Sequence, residues 1–436
     1  MLRGLILLHS CKNPGIYLQR TGFSASLLAR QSSSLAFAAI NQTRVAWNYI
    51  KKGTNVLQSR SQGLGVICRR LLVSDPAAVP FAETAIAKKI TGYWLLGCAG
   101  MTFAMVALGG ITRLTESGLS MVDWDLIKGM KPPTTQAEWE AEFAKYQEFP
   151  EYKISNQGMS LADFKRIWYM EYFHRMWGRA IGVVYFLPAG YLWARGYFNK
   201  SMKIRVGVLG GLLVFQGLLG WYMVKSGLDE ELIGNNIPRV SQYRLASHLG
   251  SAIVFYMGLL WCSLGQLLPR NQYELTKELR RFRMYTHSCK GLVFLTAISG
   301  AFVAGLDAGL VYNSYPKMAG RWIPTDLFAQ SPTWRNFFEN ATTVQFDHRI
   351  LGSTTVAAVA MLWGLARPLA LPGRARLAVN CLVGMASVQV TLGILTLLYF
   401  VPTHLAATHQ SGSLVLLSIA LWLSTELRKP LAAVPK

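Results

Sequence analysis

Two stretches of the chain repeat the same residue types at the same spacing: Glu171, Tyr172, Phe173, His174 and Arg175 with Gly178, and Gln345, Phe346, Asp347, His348 and Arg349 with Gly352. Each opens an apolar run of about 20 residues, the length that crosses a bilayer. Two more histidines share a second repeated setting, His248 within Ala246–Ala252 and His409 within Ala407–Ser413. Upstream of them, Gln216–Gly220 matches Gln389–Gly393. Ionisable side chains inside spans are costly and mark ligand or transport sites. A histidine from each of two facing helices holds a metal or a haem iron in a bundle core. A lone histidine of this kind reads equally as a structural residue bonded to a neighbouring helix; four at matched positions read as two ligand pairs, His174 with His248 and His348 with His409. No Cys or carboxylate partner is common to both pairs, which favours haem iron over zinc or copper. Gly178, Gly182, Gly250 and Gly352 leave room for a flat macrocycle.

The two halves differ beside the first histidine of each pair. Glu171 lies one helical turn before His174, whereas the matching residue before His348 is Gln345. A carboxylate at one iron and an amide at the other place chemistry in the first half and electron storage or transfer in the second. The plain alternative is a carboxylate favoured near a helix start. Arg175 and Arg349 suit haem propionates, which a guanidinium binds bidentately, or serve as anchors that snorkel to the headgroups. His9, His287 and His404 read as leader, connection and surface histidines.

The elements that must position these residues are apolar runs near 91–112, 170–193, 204–224, 243–267, 289–306, 346–366, 377–399 and 405–425. Hydrophobic residues make up 52% of the 436 and charged residues only 15%, too apolar a balance for an ordinary soluble domain. The expected fold is an all-α membrane protein, with eight transmembrane helices as two pseudo-symmetric four-helix bundles related by an axis along the membrane normal. Residues 75–270 form the first half and 271–436 the second. Of the +22 net charge, ten Lys or Arg precede the first acid, Asp75; residues 1–74 read as a mitochondrial transit peptide and basic leader, and no nucleic-acid motif accompanies the charge. The connections 194–205, 268–290 and 366–376 hold thirteen Lys or Arg in 46 residues, against thirteen in 113 for 113–166, 225–244 and 307–345. The positive-inside rule puts the basic side, with both termini, in the matrix. The long segment 113–166, with Trp124, Trp139, Phe143, Tyr146 and Glu148, is expected to fold as an outer cap with short helices. The six cysteines have no CxxC spacing and read as small buried hydrophobes.

Over about residues 90–426 these motifs resemble the haem A synthase family, in its mitochondrial branch for cytochrome c oxidase assembly. The resemblance is carried by Gly109–Ser120, by Glu171–Arg175 and by Ala304–Gly309. It implies oxidation of the C8 methyl of haem O to the formyl group of haem A, with haem O between His174 and His248, a haem B cofactor between His348 and His409, and Glu171 as the essential glutamate. The oxygen source stays open between successive hydroxylation and a route in which water supplies the oxygen. The partners implied are haem O and its synthase, mitochondrial ferredoxin or another electron carrier, and inner-membrane lipid, with a homo-oligomer open. Some bacterial relatives carry a cysteine pair in the first outer loop; no Cys lies between Cys98 and Cys262 here, so a route through that disulfide is excluded. The competing readings are a b-type cytochrome that only relays electrons and a carrier of haem O and haem A without catalysis.

Overall fold

The computed structural model describes residues 81–125, 130–228 and 239–429. The expected leader, with His9, Cys11 and Cys68, lies outside the described residues. Eight long helices follow in order: α1 Ala85–Leu114, α2 Leu161–Ala194, α3 Lys200–Gly227, α4 Gln242–Leu267, α5 Lys277–Gly305, α6 Ala341–Ala366, α7 Gly373–Leu398 and α8 Thr403–Glu426. Their starts carry the residues that satisfy a helix's unpaired N–H groups. The side chains of Thr84, Ser160, Asn199, Thr276 and Asn340 cap α1, α2, α3, α5 and α6, and Pro372 and Pro402 precede α7 and α8. No strand occurs among the described residues, only an isolated bridge between Met318 and Arg321.

Seven of the eight are long and apolar enough to cross a membrane; α2 is not among them. Its first five turns carry Asp163, Lys165, Arg166, Glu171, Arg175 and Arg179, so the expected count of eight stands at seven by length and composition. The helix α5 also starts twelve residues before the expected 289. His287, expected in a connection, therefore sits on α5, exposed and 3.3 Å from Lys290 Nζ.

The helices pack as two closed rings. Contacts run α1–α2, α2–α3, α3–α4 and α4–α1 in one, and α5–α6, α6–α7, α7–α8 and α8–α5 in the other. The rings meet through α1–α8, α4–α5 and α4–α8: exchanging the halves swaps the first two contacts and returns the third to itself. The shared core includes Leu95, Ile181, Tyr185, Ile253, Leu259, Val293, Val359, Leu382 and Leu417. Large apolar side chains also cover the outside, Leu187 at 70% exposure and Leu218 at 59%, which suits a surface solvated by lipid.

Pro188 lies inside α2 and has no N–H for the carbonyl of Val184. That oxygen accepts instead from the indole N–H of Trp94 on α1 at 3.0 Å, so a backbone defect within the apolar layer becomes a tie between α1 and α2.

Between α1 and α2 the outer segment folds as the expected cap, with short helices Gln136–Gln147 and Pro150–Ile154. Thr135 and Glu138 form a capping box at the first of them. A second small core of Met121, Trp139, Tyr146, Phe164 and Trp168 fastens the cap to the polar start of α2. Cys98, Cys262 and Cys289 are buried free thiols and Cys381 is half-buried.

Candidate functional site

The four histidines all lie on even-numbered helices, half-buried. His348 on α6 and His409 on α8 face each other with ring centres 6.4 Å apart and planes at 89°. With metal–nitrogen bonds of roughly 2 Å and each ring centre about 1 Å further back, two imidazoles straddling one metal stand ~6 Å apart. The pair therefore fits one iron between the rings. The other ring nitrogens are engaged: His348 Nδ1 lies 2.7 Å from Ser299 Oγ of α5, and His409 Nδ1 lies 3.1 Å from Gln389 Nε2 of α7. Nε2 remains as the ligand atom on each ring. Among the described residues no group of three His, Cys, Asp or Glu could hold a metal ion. A metal held by this pair needs its remaining ligands from elsewhere, and a macrocycle supplies four.

In the first half, His174 lies on α2 and His248 on α4, two helices of the same ring. His174 Nδ1 lies 3.9 Å from Glu171 Oε2. On the far ring, one terminal atom of the Gln216 amide lies 3.2 Å from His248 Nδ1 and 3.2 Å from the His248 carbonyl oxygen. Gln389 stands in the same relation to His409, its Nε2 also donating to that residue's carbonyl at 2.8 Å.

The two arginines have a definite task. Arg175 is buried, and its Nε, Nη1 and Nη2 donate to Glu171 Oε1 at 2.6 Å, to the Asp123 carbonyl at 2.8 Å and to the Met121 carbonyl at 2.8 Å. Its guanidinium lies 4.5 Å from the ring centre of Trp124. Arg349 repeats the pattern, donating to the carbonyls of Ser314 and Tyr312 and, at 3.0 Å, to Gln345 Oε1. In both halves the arginine after the histidine ties the outer loop to the histidine helix, a role that composition and spacing did not suggest.

At the position where the halves differ, Gln345 uses its amide fully. Its Nε2 donates to the carbonyls of Ala308 and Tyr312 while Oε1 receives Arg349. Glu171 has no N–H to offer such carbonyls; it is 4% exposed, one oxygen takes Arg175, and the other is turned toward His174.

Residues 92–421 match the family described as cytochrome oxidase assembly protein. The chain belongs to that family. Among members, a human protein named heme A synthase COX15 is 62% identical over 350 residues, 80% of this chain and 84% of that protein. The bovine protein of the same name is 60% identical over 369 residues, 84% and 88% of the two chains. A Schizosaccharomyces pombe member, 41% identical over 383 residues, 81% of this chain and 62% of its own, is named heme A synthase-mitochondrial ferredoxin fusion protein.

Several residues at these sites escaped the sequence reading. Of the four glycines expected to make room, Gly182 and Gly352 face open space, a side chain at Gly178 would meet Met105, and one at Gly250 would meet Ile298. Those that lie against the imidazoles are Gly109, Gly220, Gly300 and Gly393, on the odd-numbered helices. Gln216 and Gln389 were visible as a repeat without a role, and Ser299 had no signal at all.

Proposed function

We propose that this family member is a multi-pass protein of the mitochondrial inner membrane that oxidises the C8 methyl of haem O to the formyl of haem A. Haem O is held between His174 and His248 in the half spanning 75–270. Haem B sits between His348 and His409 in the half spanning 271–436, with α2 as the eighth span. The observation that carries this reading is the pair of like histidine sites with a buried carboxylate at only one of them. The names of the human and bovine relatives support the substrate and product.

Haem B, when bound, supplies one-electron transfer. With water as oxygen source, the methyl carbon and one water become a formyl group, four electrons and four protons. Glu171 is the group placed to take protons at the first site, because Oε2 faces His174 while Arg175 anchors Oε1. Arg175 and Arg349 border the sites, and the N–H groups not engaged by the loops are donors for propionates. A ferredoxin-type carrier is the electron partner, supported by the fused relative; in the water route its oxidised form takes up the four electrons one at a time. The basic connections put the termini in the matrix and the haem sites near the intermembrane-space side.

The test uses the purified full chain with haem O and a ferredoxin electron-transfer system, followed by analysis of extracted haems. Glu171→Gln is the decisive variant, since Gln345 shows that an amide can keep the arginine contact in this setting. It should retain bound haem and lose haem A formation. Haem A made at the normal rate would remove Glu171 from the chemistry; haem A absent from the wild-type reaction as well would favour the electron-relay or carrier reading. Labelled oxygen gas entering the formyl group, with aldehyde exchange excluded, would overturn the water route.

A further inference from the structure

The iron ligands expected here sit on α2, α4, α6 and α8, and each ring rests against a glycine of the helix before it. A Cβ added at Gly109 would lie 3.1 Å from His174 Nε2, at Gly220 3.5 Å from His248 Cε1, at Gly300 3.3 Å from His348 Cε1, and at Gly393 2.8 Å from His409 Cε1. Proximity of this kind is not general to the helix glycines: Gly97, Gly182, Gly217, Gly291, Gly352 and Gly384 would meet nothing within 4 Å. On α3 and α7 the seat lies one turn after a glutamine whose amide touches the Nδ1 edge of the same ring, Gln216 with Gly220 and Gln389 with Gly393. The repeated Gln-x-x-x-Gly pattern thus has two parts facing one imidazole.

We infer that Gln389 and Gly393, with Gln216 and Gly220 as their counterparts, are positioning residues that set the plane of the histidine opposite. The inference rests on the haem reading of these sites. Gln389 braces the ring at its Nδ1 edge: Nε2 lies 3.1 Å from His409 Nδ1 and donates to the His409 carbonyl at 2.8 Å. The glycine acts sterically. At 2.8 Å from a ring braced by Gln389, a methyl group at position 393 must displace the imidazole, whereas 3.5 Å at position 220 is an ordinary contact. Of the four seats Gly393 is the tightest and Gly220 the loosest, with Gly109 at 3.1 Å and Gly300 at 3.3 Å between them.

The experiment compares full-length wild type, Gly393→Ala, Gly220→Ala and Gly384→Ala in detergent, by optical and electron paramagnetic resonance spectra of the bound haem. The largest g-value of a low-spin haem with two imidazoles reports the angle between their planes. Gly393→Ala should shift or abolish the second-half low-spin signal, while Gly220→Ala and Gly384→Ala leave it as in wild type. A folded Gly393→Ala protein with the wild-type signal overturns the inference. Gln389→Leu, which removes the brace at the Nδ1 edge, decides the matter if Gly393→Ala does not accumulate. The largest g-value of the second-half signal should then shift, and a wild-type signal overturns the inference. Absence of low-spin haem from the wild type would instead sink the haem reading of His348 and His409.

Discussion

Arg175→Lys separates the loop-tying role of this arginine from its charge. A lysine keeps a cation beside Glu171 but cannot also reach the carbonyls of Met121 and Asp123, which Arg175 meets at 2.8 Å each through a planar fork. Hydrogen bonds from a charged donor contribute about 1.5–3 kcal/mol each. Because water enters as the loop lifts and recovers part of that, the net loss for two bonds is about 3 kcal/mol. At 1.4 kcal/mol per tenfold change, this corresponds to roughly a 100-fold rise in opening of the cap segment. Hydrogen exchange of the backbone around 119–125 is the direct assay: exchange there should rise by about two orders of magnitude, with α4 unchanged. Arg175→Ala should do more, because it leaves the buried Glu171 carboxylate uncompensated, a loss of about 3–5 kcal/mol. Unchanged exchange in Arg175→Lys would show that the second core under Trp139 and Phe164 holds the cap without the arginine, and the argument would fail.

Two further outcomes are expected. Trp94→Phe removes the donor to the Val184 carbonyl and should cost about 1–2 kcal/mol in thermal unfolding; adding Pro188→Ala restores an N–H within α2 and should recover most of it, so additive losses would refute the tie. Burial raises the Glu151 carboxyl from 4.5 to about 8, opposed by the hydrogen bond that Tyr146 donates to it at 3.0 Å and by the Arg113 charge, with Glu116 and Glu171 adding to the rise. Its folded state holds a proton that the unfolded chain releases above 4.5, so this group's contribution falls as pH rises from 4.5 to about 8 and is constant above. The full interval corresponds to at most about 5 kcal/mol. Glu151→Gln should flatten that dependence, and melting temperatures with the same slope between pH 5 and 8 in both proteins would contradict it.

Periodicity and composition were enough to place the long helices, because a bilayer demands long apolar runs and each histidine interrupts one. They misjudged α2 and α5 for a related reason: charges at the end of a helix lower its mean hydropathy without ending it. Lys277 to Lys290 is basic enough to read as a connection, yet Thr276 caps a helix there and His287 lies within it. The paired imidazoles could be inferred from repetition. Their supports could not, because Gly393 and Gly384 look alike in a sequence and only the packing of α7 against α8 puts one of them on a ring. The arginines were ambiguous for a different reason. Propionates and loop carbonyls both suit a guanidinium, and the loop is close only after the cap has folded.

The structural reason for Glu171 in one half and Gln345 in the other lies in what each loop offers the helix. In the second half the loop after α5 turns at Asp307, in a left-handed conformation at φ 51°, and brings the Ala308 carbonyl within 2.8 Å of Gln345 Nε2. A carboxylate there would confront two carbonyl oxygens with no donor between them. In the first half the corresponding loop continues into the cap, and Arg175 and Arg179 gather its carbonyls, so the side chain at position 171 need not donate. The extra length of the first outer segment is therefore what frees that position to be an acid. A passive surface loop would leave no such mark on the site beneath it, whereas here the cap determines both where Arg175 points and which oxygen of Glu171 is left facing His174.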